Sequence, residues 1–417
     1  MQRERLLERF LKYVAVDTTA VESAATYPSS LGQRELGKML VAELKAMGAA
    51  DVRQDEHGLV WATVPASPGC EAAPVIAFNS HLDTSPETTG KDVCPHVIRN
   101  YAGGDIPLTM HHKVIRVADN PELEQLHGAT LITTDGSTLL GADDKAGVAV
   151  IMEMAQRLLE SRDGRERGHG TVRLLFTCDE EIGHGVNHVN LRQLGAVVGY
   201  TLDGAGADEI DTETFSADLV IITVRGVNIH PSIAKDRMVN AMRAAGDLLS
   251  RLPTDQAPET TSDREGFLHP YQIEGGVAEV KIRVLLRSFD TEELRKQEQL
   301  LRELAASVEQ EHPGATIELQ VIKQYRNMAD GLQSEPQAVA YAEAAAHNLG
   351  RTPRRTIVRG GTDGSMLTER GLPTPNLSTG QHNPHSPLEW ACLDEMEQAV
   401  QLIHELAFVW AEGPDKP

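Results

Sequence analysis

The order of strand-like and helix-like segments is the feature of this sequence that most constrains its fold. In the first half of the chain, short runs of strand-forming residues alternate with longer runs that carry apolar residues at helical spacing. The predicted helices cover residues 6–14, 33–47 and 145–159, and the predicted strands cover residues 59–64, 75–78, 172–177 and 197–202. This alternation is typical of an α/β domain with a mainly parallel sheet.

The pattern changes near residue 217. From there the sequence predicts a strand, a helix, two strands, a long charged helix and a last strand. These segments cover residues 217–225, 234–252, 271–274, 278–287, 291–311 and 315–324. The order β-α-β-β-α-β is that of the split βαβ, ferredoxin-like fold. We therefore expect an α/β domain formed by residues 1–215 and 325–417, interrupted by an inserted α+β domain of residues 216–324.

Histidine and acidic residues come directly after three of the predicted strands. His81 and Asp83 follow the run PVIAFNS, Glu180 and Glu181 follow TVRLLFTC, and Asp203 follows AVVGYTL. One acid after one strand is more often a helix cap or a solvated turn residue. Ligands of open α/β sheets bind beyond the carboxyl ends of the strands, so three such ends together favour a shared site. Strand alternation puts His81 and Asp83 on the same side, where the acid can orient the imidazole.

Two further segments offer similar side chains. The segment LLGADDKAG carries Asp143 just before a predicted helix, where an acid could equally serve only as a favourable helix-terminal charge. The polar stretch PNLSTGQHNPH carries His382 and His385, and a lone histidine there would most often be a surface residue. Together the five segments provide imidazole nitrogen and carboxylate oxygen without thiolate. This is the ligand set of a catalytic zinc-type centre and not of a structural cysteine site.

The composition limits the classes of partner. The 417 residues include 39 Lys and Arg against 61 Asp and Glu, which gives a formal net charge of −22. This charge argues against nucleic acid binding, because contact with phosphates needs clustered positive charge. The charged N-terminal helix is not a secretory signal, and no apolar run is long enough to span a membrane. Four widely spaced cysteines indicate reduced thiols: Cys70, Cys94, Cys178 and Cys392. We expect a soluble, cytoplasmic protein.

Seven motifs resemble those of the peptidase T family of tripeptide aminopeptidases, within the two-zinc exopeptidase superfamily. They are SHLDTSP, TLLGADDKAG, TCDEEIGHG, YTLDGAG, NIHPSIAK, RGGTDGS and PNLSTGQHNPH, and the resemblance extends over nearly the whole chain. It implies a zinc-exopeptidase-like catalytic domain in the α/β part and a lid or dimerisation-type domain in the insert, which allows a homodimer. The implied activity is release of the N-terminal residue from tripeptides, with two Zn²⁺ ions that Co²⁺ or Mn²⁺ could replace.

The resemblance also implies the metal ligands. His81 and Asp203 would hold one zinc ion, Glu181 and His385 would hold the other, and Asp143 would bridge the two. The peptide bond after Asp143 would be cis. One departure from the family pattern, which tends to be rich in aromatic residues here, lies in QHNPHSPLEW, with His382 three residues before His385 and Leu388 three residues after it. This flank leaves substrate selectivity open and, slightly, the choice of His385 over His382.

Three further residues would take part in catalysis by the same resemblance. Glu180 would be the general base, because the adjacent Glu181 is used as a ligand and a second carboxylate must remain to move the proton. Asp83 would hydrogen-bond His81 and fix its tautomer. His230, in NIHP, would stabilise the tetrahedral oxyanion, although a capping or hairpin role is the alternative.

Substrate contacts are implied for three more side chains. Arg287 in LLRSFD and Arg359 in RGGTDGS would bind a substrate carboxylate, since the guanidinium group matches carboxylate geometry. Either arginine could instead form an ordinary ion pair. Asn383, beside the metal-binding histidine, is the third.

Other functions remain open at this point. The chain could be another hydrolase of the superfamily: a dipeptidase, an N-acyl-amino-acid hydrolase or a glutamate-releasing carboxypeptidase. A binding protein without catalytic activity should lack Glu180 or a metal ligand, and all are present. A nucleotide-binding α/β protein would need a G-x-G-x-x-G loop after its first strand, and the first strands lead to no such loop.

Overall fold

The helices and strands of the computed structural model follow the predicted order, and the structure describes residues 2–160 and 167–413. The helices are α1 (Gln2–Val14), α2 (Leu31–Met47), α3 (Ala142–Glu160), α4 (Leu191–Leu194), α5 (Ala241–Ser250), α6 (Thr291–Glu311), α7 (Ala329–Leu332), α8 (Gln337–Asn348), α9 (Asp363–Glu369) and α10 (Leu393–Glu412). The strands are β1 (Ala50–Gln54), β2 (Val60–Val64), β3 (Ile76–His81), β4 (His96–Ile98), β5 (Ile106–Pro107), β6 (Val114–Ile115), β7 (Leu131–Thr133), β8 (Val172–Thr177), β9 (Val198–Ala205), β10 (Glu209–Thr214), β11 (Ser216–Arg225), β12 (Phe267–Gly275), β13 (Glu279–Ser288), β14 (Thr316–Tyr325), β15 (Arg354–Val358), β16 (Asn376–His382) and β17 (Trp390–Cys392).

The chain divides into two compact units. The first contains Met1–Thr212, Met328–Thr356 and Thr362–Pro417, and the second contains Glu213–Asn327 and Ile357–Gly361. The second unit thus includes a short segment from the C-terminal part of the chain, which the sequence did not predict. The wider prediction, that the inserted domain acts as a lid, stays a prediction.

A large mixed sheet forms the frame of the first unit. Its strand order is β1-β2-β8-β3-β9-β16-β17-β7-β4, with β10 and β15 joined beside β16. The central strands β8, β3, β9 and β16 are parallel to one another, whereas the flanking strands pair antiparallel. The predicted α/β class is confirmed. The carboxyl ends of the four parallel strands lie at one edge of the sheet, which is where the site residues were expected.

Helix α3 lies in the core of the first unit. Every residue from Lys145 to Ala155 is buried, and the helix packs against β3, β9, α1 and α10. A helix that is apolar on most sides is expected in such a position. Asp143 and Asp144 have non-helical backbone angles, so the regular helix begins after Asp144, close to the predicted start.

The second unit has the predicted ferredoxin-like topology. Its four-stranded antiparallel sheet has the order β12-β13-β11-β14, and α5 and α6 pack on one face of it. The prediction was wrong about the first helix, which was placed at residues 234–252 and begins only at Ala241. Asn240 ends the preceding irregular segment by accepting a hydrogen bond from the Met242 N–H, a typical N-cap.

Two further observations concern membrane spans and cysteines. Among the described residues, no helix combines the length and the hydropathy needed to cross a bilayer. All four cysteines have free thiols.

A buried carboxylate joins the N-terminal helix to the core helix. Glu153 of α3 has a fully buried side chain and pairs with Arg5 at 2.8 Å, Arg9 at 2.6 Å and Arg157 at 3.0 Å. Arg5 and Arg9 belong to α1. A buried carboxylate is tolerated only when its charge is compensated in this way, so the cluster attaches α1 to α3.

We expect Glu153→Gln to lower the free energy of unfolding by about 3 kcal/mol, measured by urea denaturation. This is the lower end of the range for breaking a buried ion pair, because each arginine keeps a second carboxylate partner. Glu160→Gln is the matched control, since Glu160 also pairs with Arg5 but its side chain is 47% exposed. The control should lose less than about 1 kcal/mol. Equal losses in the two variants would contradict the argument.

Candidate metal centre

The parallel strands place three of the predicted site segments next to each other. His81 is the last residue of β3 and pairs with Thr177, the last residue of β8. The turn after β8 carries Glu180 and Glu181, and Asp203 lies near the end of β9, on the other side of β3. Adjacent parallel strands therefore deliver an imidazole and three carboxylates to one edge of the sheet.

Five side chains form two groups that could each hold a metal ion. His81, Asp143 and Asp203 form one group, and Asp143, Glu181 and His385 form the other, with the ligand atoms of each group within 4.8 Å of one another. His81 Nε2 lies 3.0 Å from Asp143 Oδ1 and 3.8 Å from Asp203 Oδ1. His385 Nε2 lies 2.8 Å from Glu181 Oε2 and 3.4 Å from Asp143 Oδ2. Asp143 therefore offers one oxygen to each group, which is the arrangement of a bridging ligand.

The orientation of both imidazoles leaves Nε2 facing the carboxylates. His81 Nδ1–H donates to the carbonyl oxygen of Asp83 at 3.1 Å, and His385 Nδ1 lies 3.2 Å from the carboxylate of Glu87. Because a carbonyl oxygen can only accept, the neutral form of His81 carries its proton on Nδ1 and has a lone pair on Nε2. Such a contact at the far ring nitrogen is what orients metal-binding histidines.

The electrostatics of the site favour a cation. Burial raises the pKa of Glu181 to about 8 and that of Asp203 to about 6, and in both cases the charge of Asp143 adds to the effect. Burial lowers the pKa of His385, but its hydrogen bonds to Asp143 and Glu181 outweigh burial and raise the pKa to about 12. Glu181 Oε1 is buried and has no hydrogen-bond partner among the described residues. A buried acceptor without a donor, surrounded by like charges, fits the position of a metal ligand.

Glu180 belongs to neither ligand group. Burial raises the pKa of its carboxyl group well above the usual value, and the charge of Asp203 acts in the same direction. The backbone N–H groups of Glu180 and Glu181 both donate to the Asp83 carboxylate, at 3.0 Å each. Asp83 thus holds the turn that carries the two glutamates, and its Oδ1 also lies 3.5 Å from Nδ1 of His81.

Comparison with known proteins identifies the family. The model of peptidase family M20/M25/M40 matches residues 133–408, more than half of the 417 residues. Peptidase T of Geobacillus thermodenitrificans is 42% identical over 405 residues, which cover 97% of this chain and 98% of the relative. The chain belongs to peptidase family M20/M25/M40. It is a metallo-aminopeptidase hydrolase, and the resemblance found in the sequence is confirmed.

Two solved structures share the fold of this M20 peptidase. Aminopeptidase PepT from Bacillus cereus matches with a TM-score of 0.73 and 25% sequence identity, over 98% of this chain and 99% of that structure. A tripeptidase from Staphylococcus aureus matches with a TM-score of 0.75 and 23% identity, over 98% of each chain. The predicted combination of a catalytic-type α/β domain and a ferredoxin-like insert is thereby confirmed as the fold class.

Glu389, for which the sequence predicted no role, organises the turn that carries Asp143, the aspartate shared by the two ligand groups. Its buried carboxylate accepts three backbone N–H groups, from Leu140 at 2.6 Å, Gly141 at 2.7 Å and Asp143 at 2.9 Å. The sequence signal that could have pointed to this role is the position of an acidic residue four places after His385. The peptide bond that follows Asp143 is cis, as the resemblance implied.

Three other predicted site residues of this M20 peptidase belong to the second unit: His230, Arg287 and Arg359. His230 is exposed, and its Nδ1 accepts a hydrogen bond from the Ser232 N–H, so the capping role considered for it is present. Arg287 donates to the Tyr325 hydroxyl and stacks on that ring, while its Nε is buried without a partner among the described residues. Arg359 stacks on aromatic rings and donates through both terminal nitrogens within the same unit.

Two other candidate residues, Asn383 and His382, lie just before His385. Their side chains form contacts within this part of the protein. The Asn383 amide donates to Asn120 Oδ1 at 2.7 Å and to the Leu388 carbonyl at 3.2 Å. His382 stacks on Trp390, with ring centroids 3.7 Å apart, and its two nitrogens face carboxylates of other elements. His385, not His382, joins the ligand groups.

Burial lowers the pKa of His382, but hydrogen bonds to Glu122 and Glu395 outweigh it and raise the pKa above the usual value. A histidine with a raised pKa in the folded state stabilises the fold fully below its unfolded pKa of about 6.5, and this contribution is lost as the pH rises through the folded pKa.

We therefore expect His382→Phe, which keeps a ring on Trp390, to lower the melting temperature more at pH 6 than at pH 9. Thermal unfolding of variant and wild type in the same buffers measures the difference. A loss that does not vary with pH would show that the charge of His382 contributes nothing.

Proposed function

We propose that this M20 peptidase is a two-zinc aminopeptidase that releases the N-terminal residue from tripeptides. The observation that carries the proposal is the sharing of Asp143 between two ligand groups, next to a buried glutamate, Glu180, that belongs to neither group. The resemblance to tripeptide aminopeptidases and the 42% identity to a peptidase T support the substrate class. The four free thiols fit a reducing compartment, so we place the enzyme in the cytoplasm.

The ligand set suits two divalent cations. We propose His81 and Asp203 as ligands of one ion, Glu181 and His385 as ligands of the other, and Asp143 as the bridge. Nitrogen and oxygen ligands without thiolate accept Zn²⁺, and also Co²⁺ or Mn²⁺. When bound, a pair of such ions lowers the pKa of the attacking water and polarises the scissile carbonyl.

Glu180 is proposed as the general base. The backbone contacts of Asp83 hold the turn, and burial raises the pKa of the Glu180 carboxyl group above its usual value. A positioned carboxyl group with a raised pKa is suited to general acid–base catalysis. Glu180 would take a proton from the attacking water and deliver it to the leaving amine. Glu181 is committed to a ligand group and is not free for this role.

The second unit is proposed to supply the substrate contacts. Because Nδ1 of His230 accepts a hydrogen bond from the Ser232 N–H, the neutral imidazole carries its single proton on Nε2. The Nε2–H group can then donate to an oxyanion. Arg287 retains an unused Nε donor, whereas both terminal nitrogens of Arg359 are engaged, so Arg287 is the better ligand for a substrate carboxylate. Asn383 is also proposed to contact the substrate, through its side-chain carbonyl oxygen, because its amide nitrogen already donates to Asn120 and Leu388.

A substrate panel tests the activity. Metal-stripped protein should be inactive, and protein restored with two equivalents of Zn²⁺ should cleave a tripeptide with a free amine. It should leave the N-acetylated tripeptide intact and act poorly on the dipeptide, with release of the N-terminal residue followed by chromatography. Cleavage of the acetylated peptide or a preference for the dipeptide would favour another hydrolase of the family. Activity that is unaffected by metal removal would contradict the metal assignment.

The general base has a separate test. Glu180→Ala should retain both Zn²⁺ ions and lose activity by roughly 10²–10⁴-fold, the range for a positioned proton carrier. Glu181→Ala is the matched control, because it should lose metal as well as activity. Zinc content by atomic absorption distinguishes the two variants. If Glu180→Ala loses zinc and Glu181→Ala keeps it, the two glutamates have exchanged roles.

A further inference from the structure

Asp179, the residue directly before Glu180, has an unusual backbone conformation. Its φ is +60°, in the left-handed region that residues other than glycine seldom adopt, and its side chain is buried. The direction in which the chain enters Glu180 depends on this angle. A conformation of this kind persists when surrounding contacts determine it.

The contacts that hold Asp179 come from the start of α2. Its carboxylate accepts hydrogen bonds from Ser29 N at 2.7 Å, from Ser29 Oγ, and from Gln33 Nε2 at 2.6 Å. The Asp179 N–H in turn donates to Gln33 Oε1 at 3.0 Å. Gln33 is fully buried and bonds Asp179 at two points, so both the side chain and the backbone of Asp179 are fixed. The position of the carboxylate near the N-terminus of α2 is also electrostatically favourable.

These contacts are separate from those of the metal ligands. Ser29, Gln33 and Asp179 belong to neither ligand group, and the bonds from Glu180 and Glu181 to Asp83 lie on the following residues of the turn. The turn is therefore held from two directions. Asp83 binds the backbone amides of Glu180 and Glu181, and the start of α2 binds Asp179. Two independent anchors restrict the rotation of the Glu180 backbone more than one anchor would.

We propose that Ser29 and Gln33 are positioning residues that act through Asp179 to orient the Glu180 carboxylate. This inference rests on the proposed role of Glu180 as general base. Glu181 has a further contact with His385, so loss of the Gln33 bonds should displace Glu180 without releasing metal.

The test compares Gln33→Leu with Gln54→Leu. The side-chain amide of Gln54 likewise bonds the backbone near α2, by donating to the carbonyls of Arg34 in α2 and of Gly58, but it forms no hydrogen bond with Asp179 among the described residues. We expect Gln33→Leu to lower kcat on the order of 10²-fold, the effect of a small displacement of a catalytic group. Its KM should change by less than about twofold, because substrate binding is not altered. Zinc content should equal that of the wild type, and Gln54→Leu should keep wild-type kcat.

A second measurement does not depend on activity. In the metal-free proteins, amide hydrogen exchange of the segment 178–182 should be about tenfold faster in Gln33→Leu than in the wild type and in Gln54→Leu, because its anchoring bonds are lost. If the wild type fails to cleave tripeptides, the proposed function is wrong, and the exchange measurement still decides whether Gln33 holds the turn. Unchanged exchange, a kcat equal to that of Gln54→Leu, or a loss of zinc would each overturn the proposal.

Ser29 provides a milder pair of variants in case Gln33→Leu does not fold. Ser29→Ala removes the hydroxyl donor but keeps the backbone donor, so kcat should fall by roughly tenfold with KM unchanged. Ser29→Thr retains the hydroxyl and should restore kcat to near the wild-type value. Equal kcat values for the alanine and threonine variants would show that the hydroxyl does not position Glu180.

Discussion

Asp143 gives one carboxylate oxygen to each of two ligand groups, and the rest of the site is arranged around this shared residue. Several carboxylates lie together in a buried environment, where each charge raises the pKa of its neighbours. Hydrogen bonds to these carboxylates raise the pKa of His81 and of His385 above the usual value, so the site favours positive charge. Divalent cations supply such charge, which gives metal binding its physical basis in this fold.

Three buried carboxylates outside the ligand groups hold the turns that carry the ligands. Asp83 accepts the amides of the Glu180–Glu181 turn, Glu389 accepts those of the turn before α3, and Asp179 bonds the start of α2. Backbone N–H groups in irregular turns need partners when they are buried, and a carboxylate can satisfy several at once. These hydrogen bonds fix the irregular segments that carry the candidate ligands. Acidic residues in this chain accordingly serve two purposes: some form the candidate ligand groups, and others organise the backbone around them.

Local sequence signals suffice for elements whose own residues determine which side is buried. The helix that follows Asp143 and the β-α-β-β-α-β order of the insert were predicted from periodicity, because each element buries its own apolar side. The start of α5 was placed too early, since the pattern did not reveal that Asn240 caps the helix. The role of Glu389 was also missed, because its partners are amides about 250 positions away in the chain.

The sequence by itself determined the fold class, the family and four of the five residues that form the ligand groups, and it limited the fifth to His382 or His385. Strand ends and motifs are local features that can be read in order along the chain. Only the tertiary structure decided which nitrogen of each histidine faces the carboxylates, that His385 and not His382 joins them, and that Asp179 is held by Ser29 and Gln33. These outcomes depend on distances between segments far apart in sequence. Such distances follow from how the strands and helices pack, and no local pattern encodes them.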